Sequence, residues 1–342
     1  MGCHTECSKN TGNGYMIEIL QYDFMRHALS AGLMASVICG IMGALVVVNR
    51  IVFLSGGIAH AAYGGIGLAF YLGWPYFPVT IGFSLTAAAV MASVSLKEKH
   101  RADTIIGVIW ALGMACGIVL LDLTPGYNVD LMSYLFGSLL TVLVFDLCIM
   151  FTAAALIAGL VTFFYKDLLA LSYDEEFARI RGVPVRTLYF MMVCMLGVTI
   201  VMVIQVVGLI LVIALLTIPP FIVEKYVKSL FGMMAGSVLL GTVFTISGLW
   251  LSYAYNITSG ASIILVAGSV FLVTQLIDAL IRIKFAGLFG RSPKKILRRD
   301  FAAKPSRSRF LNQLHPVHQF SIIEPSLHSF LTAKKQEHQW PA

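Results

Sequence analysis

The stretch Phe53-Leu-Ser-Gly-Gly-Ile-Ala-His-Ala-Ala-Tyr-Gly-Gly-Ile-Gly67 sets one ionisable side chain, His60, among glycines inside a long apolar run. A bilayer tolerates an ionisable side chain at depth only where that side chain faces the interior of a bundle or a water-filled cavity. Ionisable residues in such positions mark functional sites, so the stretch predicts a membrane helix that lines a transport pathway.

The composition of the whole chain is that of a polytopic membrane protein. Of its 342 residues, 58 % are hydrophobic and 12 % are charged, and the mean hydropathy is +0.85. Apolar runs of about 20 residues, the length that crosses roughly 30 Å of hydrocarbon as a helix, recur between Phe24 and Ile281. Helix satisfies the backbone within each segment, so we expect an all-α membrane protein.

The apolar runs and the loop charges together predict the membrane spans. Seven spans are Phe24–Val48, Ile51–Gly73, Val79–Leu96, Thr104–Leu121, Tyr134–Tyr165, Phe231–Tyr253 and Ser262–Ile281. The remaining apolar segment, Leu188–Pro220, is too long for one ordinary crossing and is interrupted by Gln205 and Gly208. A hairpin that turns between those two residues gives about nine transmembrane helices, whereas a single crossing gives eight.

The basic residues predict which loops face the cytoplasm. Of the 24 Lys and Arg residues, 12 follow Ile281, and most others cluster at residues 97–101, 179–186 and 225–228. Basic loops of membrane proteins stay on the cytoplasmic side, so we predict a cytoplasmic carboxyl terminus and, with nine helices, an external amino terminus. The net charge of +7 therefore indicates membrane topology and membrane lipid rather than nucleic acid as a partner.

Changes in composition divide the chain into three parts. Residues 1–22 form a short amino-terminal segment, residues 23–285 the transmembrane domain, and residues 286–342 a basic, cytosolic tail predicted to be disordered. No Gly-x-x-x-x-Gly-Lys-Ser/Thr motif occurs in the sequence, and no paired carboxylates or hydrolytic triad appear. We therefore expect a transport subunit rather than an enzyme, with any ATP hydrolysed by a separate ATPase subunit.

His60 is the strongest candidate for a pathway residue. Positions four apart stack along a helix, so Gly56 and Gly64 share its face and leave a slot that a neighbouring helix or an ion can approach. Neutral imidazole binds divalent transition metals, although a histidine that hydrogen-bonds a carbonyl between helices remains the alternative. Weaker pathway candidates are Asp146, Gln205, Asp278 and Glu224, of which Glu224 is also explained by pairing with Lys225 at the membrane interface.

The polar segment Ser172–Pro184 predicts a short amphipathic helix. Its acidic residues come first and its arginines later, which matches the helix dipole, and Gly182 and Pro184 follow as stop signals. Phe177 and Ile180 would be exposed on such a helix. A plain connector would not need them, so the segment is a candidate docking element for a soluble partner.

The chain resembles the permease subunits of the ABC-3 family, bacterial importers of zinc, manganese and iron. The resemblance runs from about Phe24 to Ile281. It rests on the Ser-Gly-Gly-Ile-Ala-His-Ala core of residues 55–61, on Asp130-Leu-Met-Ser-Tyr-Leu-Phe-Gly-Ser138, on Leu169-Ala-Leu-Ser-Tyr-Asp-Glu-Glu-Phe-Ala-Arg179 with Arg181-Gly-Val-Pro184, and on Gln205-Val-Val-Gly-Leu-Ile-Leu-Val212 leading to Ile218-Pro219.

The resemblance implies a type II ABC importer-like permease of the bacterial cytoplasmic membrane. It implies a homodimeric or paired pore, two ATPase subunits below it, and a metal-binding extracytoplasmic lipoprotein or periplasmic protein above it. No permanently bound cofactor is implied, since the metal ion is the cargo. His60 matches the pathway histidine of the family, with Gly56 and Gly64 beside it. Gly56 departs from the family, because many relatives carry an Asp there, and Glu224 is the candidate for the missing carboxylate.

The resemblance also implies that the predicted amphipathic helix is the coupling helix that enters a groove on the ATPase. Its residues are Asp174, Glu175, Glu176, Ala178, Arg179 and Gly182. Two other functions stay open: a permease for chelated metal or cobalamin, which uses a wider cavity in a related fold, and a stand-alone ion-coupled carrier or channel, which needs no coupling helix. A membrane metalloenzyme is disfavoured, because one histidine does not hold a catalytic metal.

Overall fold

The computed structural model describes residues 23–97, 101–125, 137 and 142–288, with side chains described to residue 281. The predicted amino-terminal segment, most of the Asp130–Ser138 motif and the predicted tail from residue 289 onward lie outside these ranges. Chain contacts separate two units, Met1–Arg282 and Ile283–Ala342. The division into three parts stays a prediction.

The described part of the chain is helical. In chain order the helices are α1 Asp23–Val48, α2 Val52–Leu72, α3 Tyr76–Lys97, α4 Ala102–Asp122, α5 Val144–Phe163, α6 Tyr165–Tyr173, α7 Glu175–Ile180, α8 Val185–Val207, α9 Leu209–Glu224, α10 Leu230–Tyr255 and α11 Ser259–Leu288. Eight of the described helices are long and apolar enough to cross a membrane, and α9 is a shorter apolar helix. The all-α polytopic membrane fold is thereby confirmed.

The predicted span Tyr134–Tyr165 differs from the structure at both ends. Helix α5 begins only at Val144, where the Asp146 carboxylate accepts a hydrogen bond from the Leu143 backbone amide at 3.3 Å. It ends at Phe163, and Tyr165 already opens the separate helix α6. The apolar run continues through this break, so hydrophobicity alone could not locate it.

Contacts between helix ends fix the direction of each pass. The side chains of Asn49 and Ser172 are hydrogen-bonded, and Arg50 acts electrostatically on Glu224, so these residues define one end of the bundle, named here the basic end. The Gln205 amide donates to both the Tyr76 hydroxyl and the Asp146 carboxylate, and these three residues define the opposite end.

Helix α8 therefore runs from the basic end to the opposite end, and α9 returns. The reversal occurs at Gly208, whose φ of 90° is available to glycine and strained for other residues. The predicted hairpin near Gln205–Gly208 is confirmed. Eight of the described helices reach ordinary spanning length. The return helix α9 has only 16 residues, about 24 Å of helix, so a total of nine membrane helices stays a prediction.

Small residues bring the central helices into close contact. A Cβ added at Gly67 of α2 would lie 2.4 Å from the Gly117 carbonyl oxygen of α4, and one added at Gly43 of α1 would lie 2.4 Å from the Leu216 carbonyl oxygen of α9. Membrane helices lack a hydrophobic drive to associate and rely on such close approach. On its other side α2 meets α3, where a Cβ added at Gly65 would lie 2.8 Å from the Phe83 side chain.

The turn between α1 and α2 has an unusual residue. The Ile51 amide donates to the Val46 carbonyl and the Arg50 amide to the Val47 carbonyl, the Schellman arrangement that places Arg50 where glycine is common. Arg50 accordingly has a φ of 58°. A left-handed conformation costs a non-glycine residue about 1 kcal/mol or more, and such costs collect at functional sites.

Candidate translocation pathway

His60 lies near the middle of α2, about 12 Å along the helix from Val52. Its side chain is half-buried, and its Nδ1 atom is shielded from solvent and makes no hydrogen bond to any residue that the structure describes. Buried polar atoms are ordinarily hydrogen-bonded, so an unpaired Nδ1 is costly unless a ligand uses it. The alternative of a histidine bonded to a carbonyl receives no support at this atom.

The ring of His60 is stacked on Trp110 of α4. The ring centroids are 4.2 Å apart and the planes differ by 14°. Phe53 extends the cluster, with its ring centroid 5.8 Å from that of Trp110. The imidazole is therefore held by aromatic contact on one face.

Gly56 and Gly64 make room for helix α4 beside His60. A Cβ at Gly56 would lie 3.9 Å from the indole of Trp110, whereas a Cβ at Gly64 would lie 2.8 Å from the Gly113 carbonyl oxygen and 3.0 Å from the Phe83 ring. The slot expected beside His60 is thus occupied by a neighbouring helix. Gly56 borders the tryptophan, and Gly64 allows the tight packing above it.

Glu224 lies elsewhere. It is the last residue of α9, exposed at the basic end within electrostatic reach of Arg50, whereas His60 lies more than two helical turns deeper. Within the described ranges, no three His, Cys, Asp or Glu side chains group closely enough to hold a metal ion. The structure does not bring Glu224 and His60 together.

The predicted amphipathic helix is present as α7. The Asp174 carboxylate accepts hydrogen bonds from the Glu176 and Phe177 amides at 3.0 and 3.2 Å, an amino-terminal cap, and Glu175 pairs with Arg179 at 3.1 Å. After the helix, Gly182 adopts a φ of 78°. The structure therefore confirms the predicted order of charges, with acidic residues in the first turn and Arg179 in the last, and the predicted helix end before Gly182.

Helix α7 has an anchored face and an exposed face. Ala178 is fully buried, while Phe177 and Ile180 are 52 % and 84 % exposed. The Arg181 guanidinium lies 5.6 Å from the centre of the Phe177 ring. An apolar patch bordered by arginines at the basic end is a surface suited to a protein partner.

Two features were missed from the sequence. Trp110 stands in mid-helix, although tryptophans of membrane proteins favour the interfaces, and that position was a usable signal. The second is the contact of Gln205 with Tyr76 and Asp146, which joins α3, α5 and α8 at the opposite end. The sequence indicates Asp146 and Gln205 as two separate pathway candidates, and nothing in it pairs them.

Comparison with known proteins agrees with this architecture. The model of the ABC 3 transport family matches residues 21–278. An uncharacterized membrane protein of Synechocystis sp. is 49 % identical over 259 residues, which cover 76 % of this chain and 92 % of the relative. The manganese transport system membrane protein MntC of Halalkalibacterium halodurans is 29 % identical over 254 residues, 74 % of this chain and 87 % of the relative.

A solved structure agrees as well. The structure of PsaBC from Streptococcus pneumoniae in complex with Fab matches with a TM-score of 0.69 and 31 % identity, over 76 % of this chain and 94 % of that chain. The family match spans the helices from α1 to α11, and the resemblance read from the sequence motifs is confirmed. The chain belongs to the ABC 3 transport family.

Proposed function

We propose that this protein is the membrane-spanning permease subunit of an ATP-driven importer of divalent transition-metal ions: zinc, manganese or iron. The observation that carries the proposal is the unpaired, shielded Nδ1 of His60 in the middle of a membrane helix. Neutral imidazole is a ligand for all three ions. The relative from Halalkalibacterium halodurans, named as a manganese transport protein, supports the same cargo class.

The proposed path runs from the opposite end, past His60, to the basic end. His60 is the ligand inside the membrane, with Gly56 and Gly64 permitting the packing that positions it. Glu224 is the proposed carboxylate at the exit, where its exposure suits a hydrated ion. The metal is cargo, so it must bind more weakly in the state that releases it than in the state that takes it up.

The basic end is the proposed cytoplasmic side of a bacterial inner membrane, in agreement with the basic loops. There the residues of α7 and its flanks, Asp174 to Gly182, dock in a groove of the ATPase, which supplies hydrolysis. Two ATPase subunits serve a homodimer or pair of permeases, and an extracytoplasmic metal-binding protein delivers the ion. Residues 23–285 form the transport domain, and the tail from residue 286 is cytosolic.

Vesicles that contain the permease with its ATPase test this proposal. We expect ATP-dependent uptake of one of the three ions, loss of that uptake in His60→Ala, and hydrolysis without transport in Glu176→Arg. His27→Ala is the matched control, because His27 is a partly buried histidine near the start of α1. It should transport like the wild type.

Other results would select another function. Uptake that persists without the ATPase would identify a stand-alone carrier or channel. Uptake of chelated metal or cobalamin in place of free ions would identify the related type of permease. Equal uptake by His60→Ala and the wild type would remove His60 from the path.

A further inference from the structure

Asn49 occupies a junction at the basic end. It is the residue after α1, and its side-chain amide donates to the Leu45 carbonyl oxygen at 2.9 Å and to the Ser172 hydroxyl at 2.9 Å, with Met192 Sδ at 3.6 Å. Ser172 belongs to α6 and Met192 to α8. One amide therefore contacts three helices besides the turn in which it lies.

The Ser172 side of the junction leads to the docking helix. Ser172 stands two residues before Asp174, the cap of α7. The intervening chain has little freedom, because the Asp174 amide donates to the Ala170 carbonyl oxygen and Leu171 is buried in the core. A displacement of α7 by a bound partner therefore reaches the Ser172 hydroxyl within one helical turn.

The other side of the junction leads to His60. Asn49 and Arg50 form the turn that starts α2, and the Ser55 amide donates to the Ile51 carbonyl oxygen at 3.0 Å, which joins that turn to the helix. Helix α2 then continues without interruption to His60. Arg50, in the same turn, has a φ of 58° and lies within electrostatic reach of Glu224 at the end of α9.

Two other polar contacts join helices in the described part of the chain. Ser36 of α1 is hydrogen-bonded to Thr245 of α10 at 2.9 Å, and Lys225 is paired with Asp278 at 2.6 Å. The first of these is a buried contact on α1, the helix that Asn49 directly follows, which makes it a matched comparison for the junction.

We propose that Asn49 is a positioning residue that transmits movement of the docking helix, through its hydrogen bond with Ser172, to the helix that carries His60. This inference rests on the proposed function, because it concerns how ATP hydrolysis is linked to transport. Asn49 touches neither ATP nor the metal ion. Its role is to make α1, α2 and the docking segment move together.

The test measures ions transported per ATP hydrolysed in vesicles that contain the full chain and its ATPase, for wild type, Asn49→Ala and Ser172→Ala. Both variants should keep hydrolysis near wild type and lower the ratio about five-fold, the effect of losing one hydrogen bond of ordinary strength. The double variant should lower it no further, because both changes remove the same interaction. Ser172→Thr, which keeps the hydroxyl, should restore the ratio.

Ser36→Ala is the control for a general loss of packing and should leave the ratio unchanged. An unchanged ratio in Ser172→Ala overturns the inference, as does an equal fall in Ser36→Ala or a proportional fall of hydrolysis and transport. If Asn49→Ala does not fold, Ser172→Ala and Ser172→Thr decide the question. A wild-type complex that shows no ATP-dependent uptake refutes the proposed function itself.

Discussion

The imidazole of His60 and the indole of Trp110 lie face to face, with centroids 4.2 Å apart and planes 14° from parallel. Helix α4 delivers the tryptophan to this position because glycines at the α2–α4 contact let the two backbones approach. With no described hydrogen bond at Nδ1, the stack fixes the ring plane. The two ring nitrogens of His60 therefore lie in a plane nearly parallel to the indole.

Replacement of Trp110 by alanine should therefore impair transport. A stacked aromatic pair is worth about 0.5–1.5 kcal/mol, so a misplaced imidazole should lower uptake by about two- to ten-fold. Trp110→Phe keeps a ring and should retain most of the rate. Initial uptake rates in vesicles measure the effect.

Trp250→Ala, which removes a tryptophan that is 52 % exposed on α10, is the control for the Trp110→Ala variant. Equal losses in both alanine variants would contradict a specific role for the stack.

The contact between α2 and α4 gives a prediction about stability. A methyl group at Gly67 would meet the Gly117 carbonyl oxygen at 2.4 Å, so the helices must separate. Gly67→Ala should lower the free energy of unfolding by about 1–3 kcal/mol, as overpacking does. Thermal unfolding in detergent measures this change. Gly82→Ala in α3 has open space at its Cβ and should be neutral or slightly stabilising. A stable Gly67→Ala protein would show that α2 and α4 are farther apart.

The cap of α7 predicts how the docking helix depends on Asp174. Asp174→Ala removes the acceptor of two amide hydrogen bonds and should cost about 1 kcal/mol of local helix stability. Asp174→Asn keeps the cap. We expect the alanine variant alone to bind the ATPase more weakly, measured by co-purification from membranes. Asp103→Ala, a change in the first turn of α4 at the same end, should bind normally. Weak binding in both alanine variants would indicate a charge effect instead.

Local features of the fold were predictable from the sequence. Apart from α5, the positions of the spans follow from runs of apolar residues. The break at Gly208 follows from a polar residue and a glycine inside one such run, and α7 follows from its ordered charges. Each of these signals lies within a few residues of the feature that it predicts. The order of acids, arginines and glycine around α7 needs no knowledge of the neighbouring helices.

The pairing of side chains across helices was not predictable. Helices that are apolar on every side carry no pattern that tells which side faces a neighbour. The sequence indicates His60 as a pathway residue but does not predict that His60 stacks on Trp110. It indicates Gln205 and Asp146 as candidates but does not predict their hydrogen bond. The sequence gives no reason to select Asn49, because an asparagine after a helix is ordinary until its partners are known.

The last prediction concerns Gln205, which ties the end of α8 to the starts of α3 and α5 through Tyr76 and Asp146. Gln205→Leu removes the hydrogen bond from the Gln205 amide to the Asp146 carboxylate, which keeps its hydrogen bond from the Leu143 amide. A carboxylate that has lost a hydrogen-bond donor attracts water. Amide hydrogen exchange should rise at the starts of α3 and α5. Gln275→Leu is the control, because it also replaces a glutamine that takes part in a polar contact. Lys225 keeps its pairing with Asp278 in this variant, so amide hydrogen exchange should stay near wild type. Unchanged exchange in Gln205→Leu would mean that packing around Gly208, rather than the polar contact, closes the opposite end.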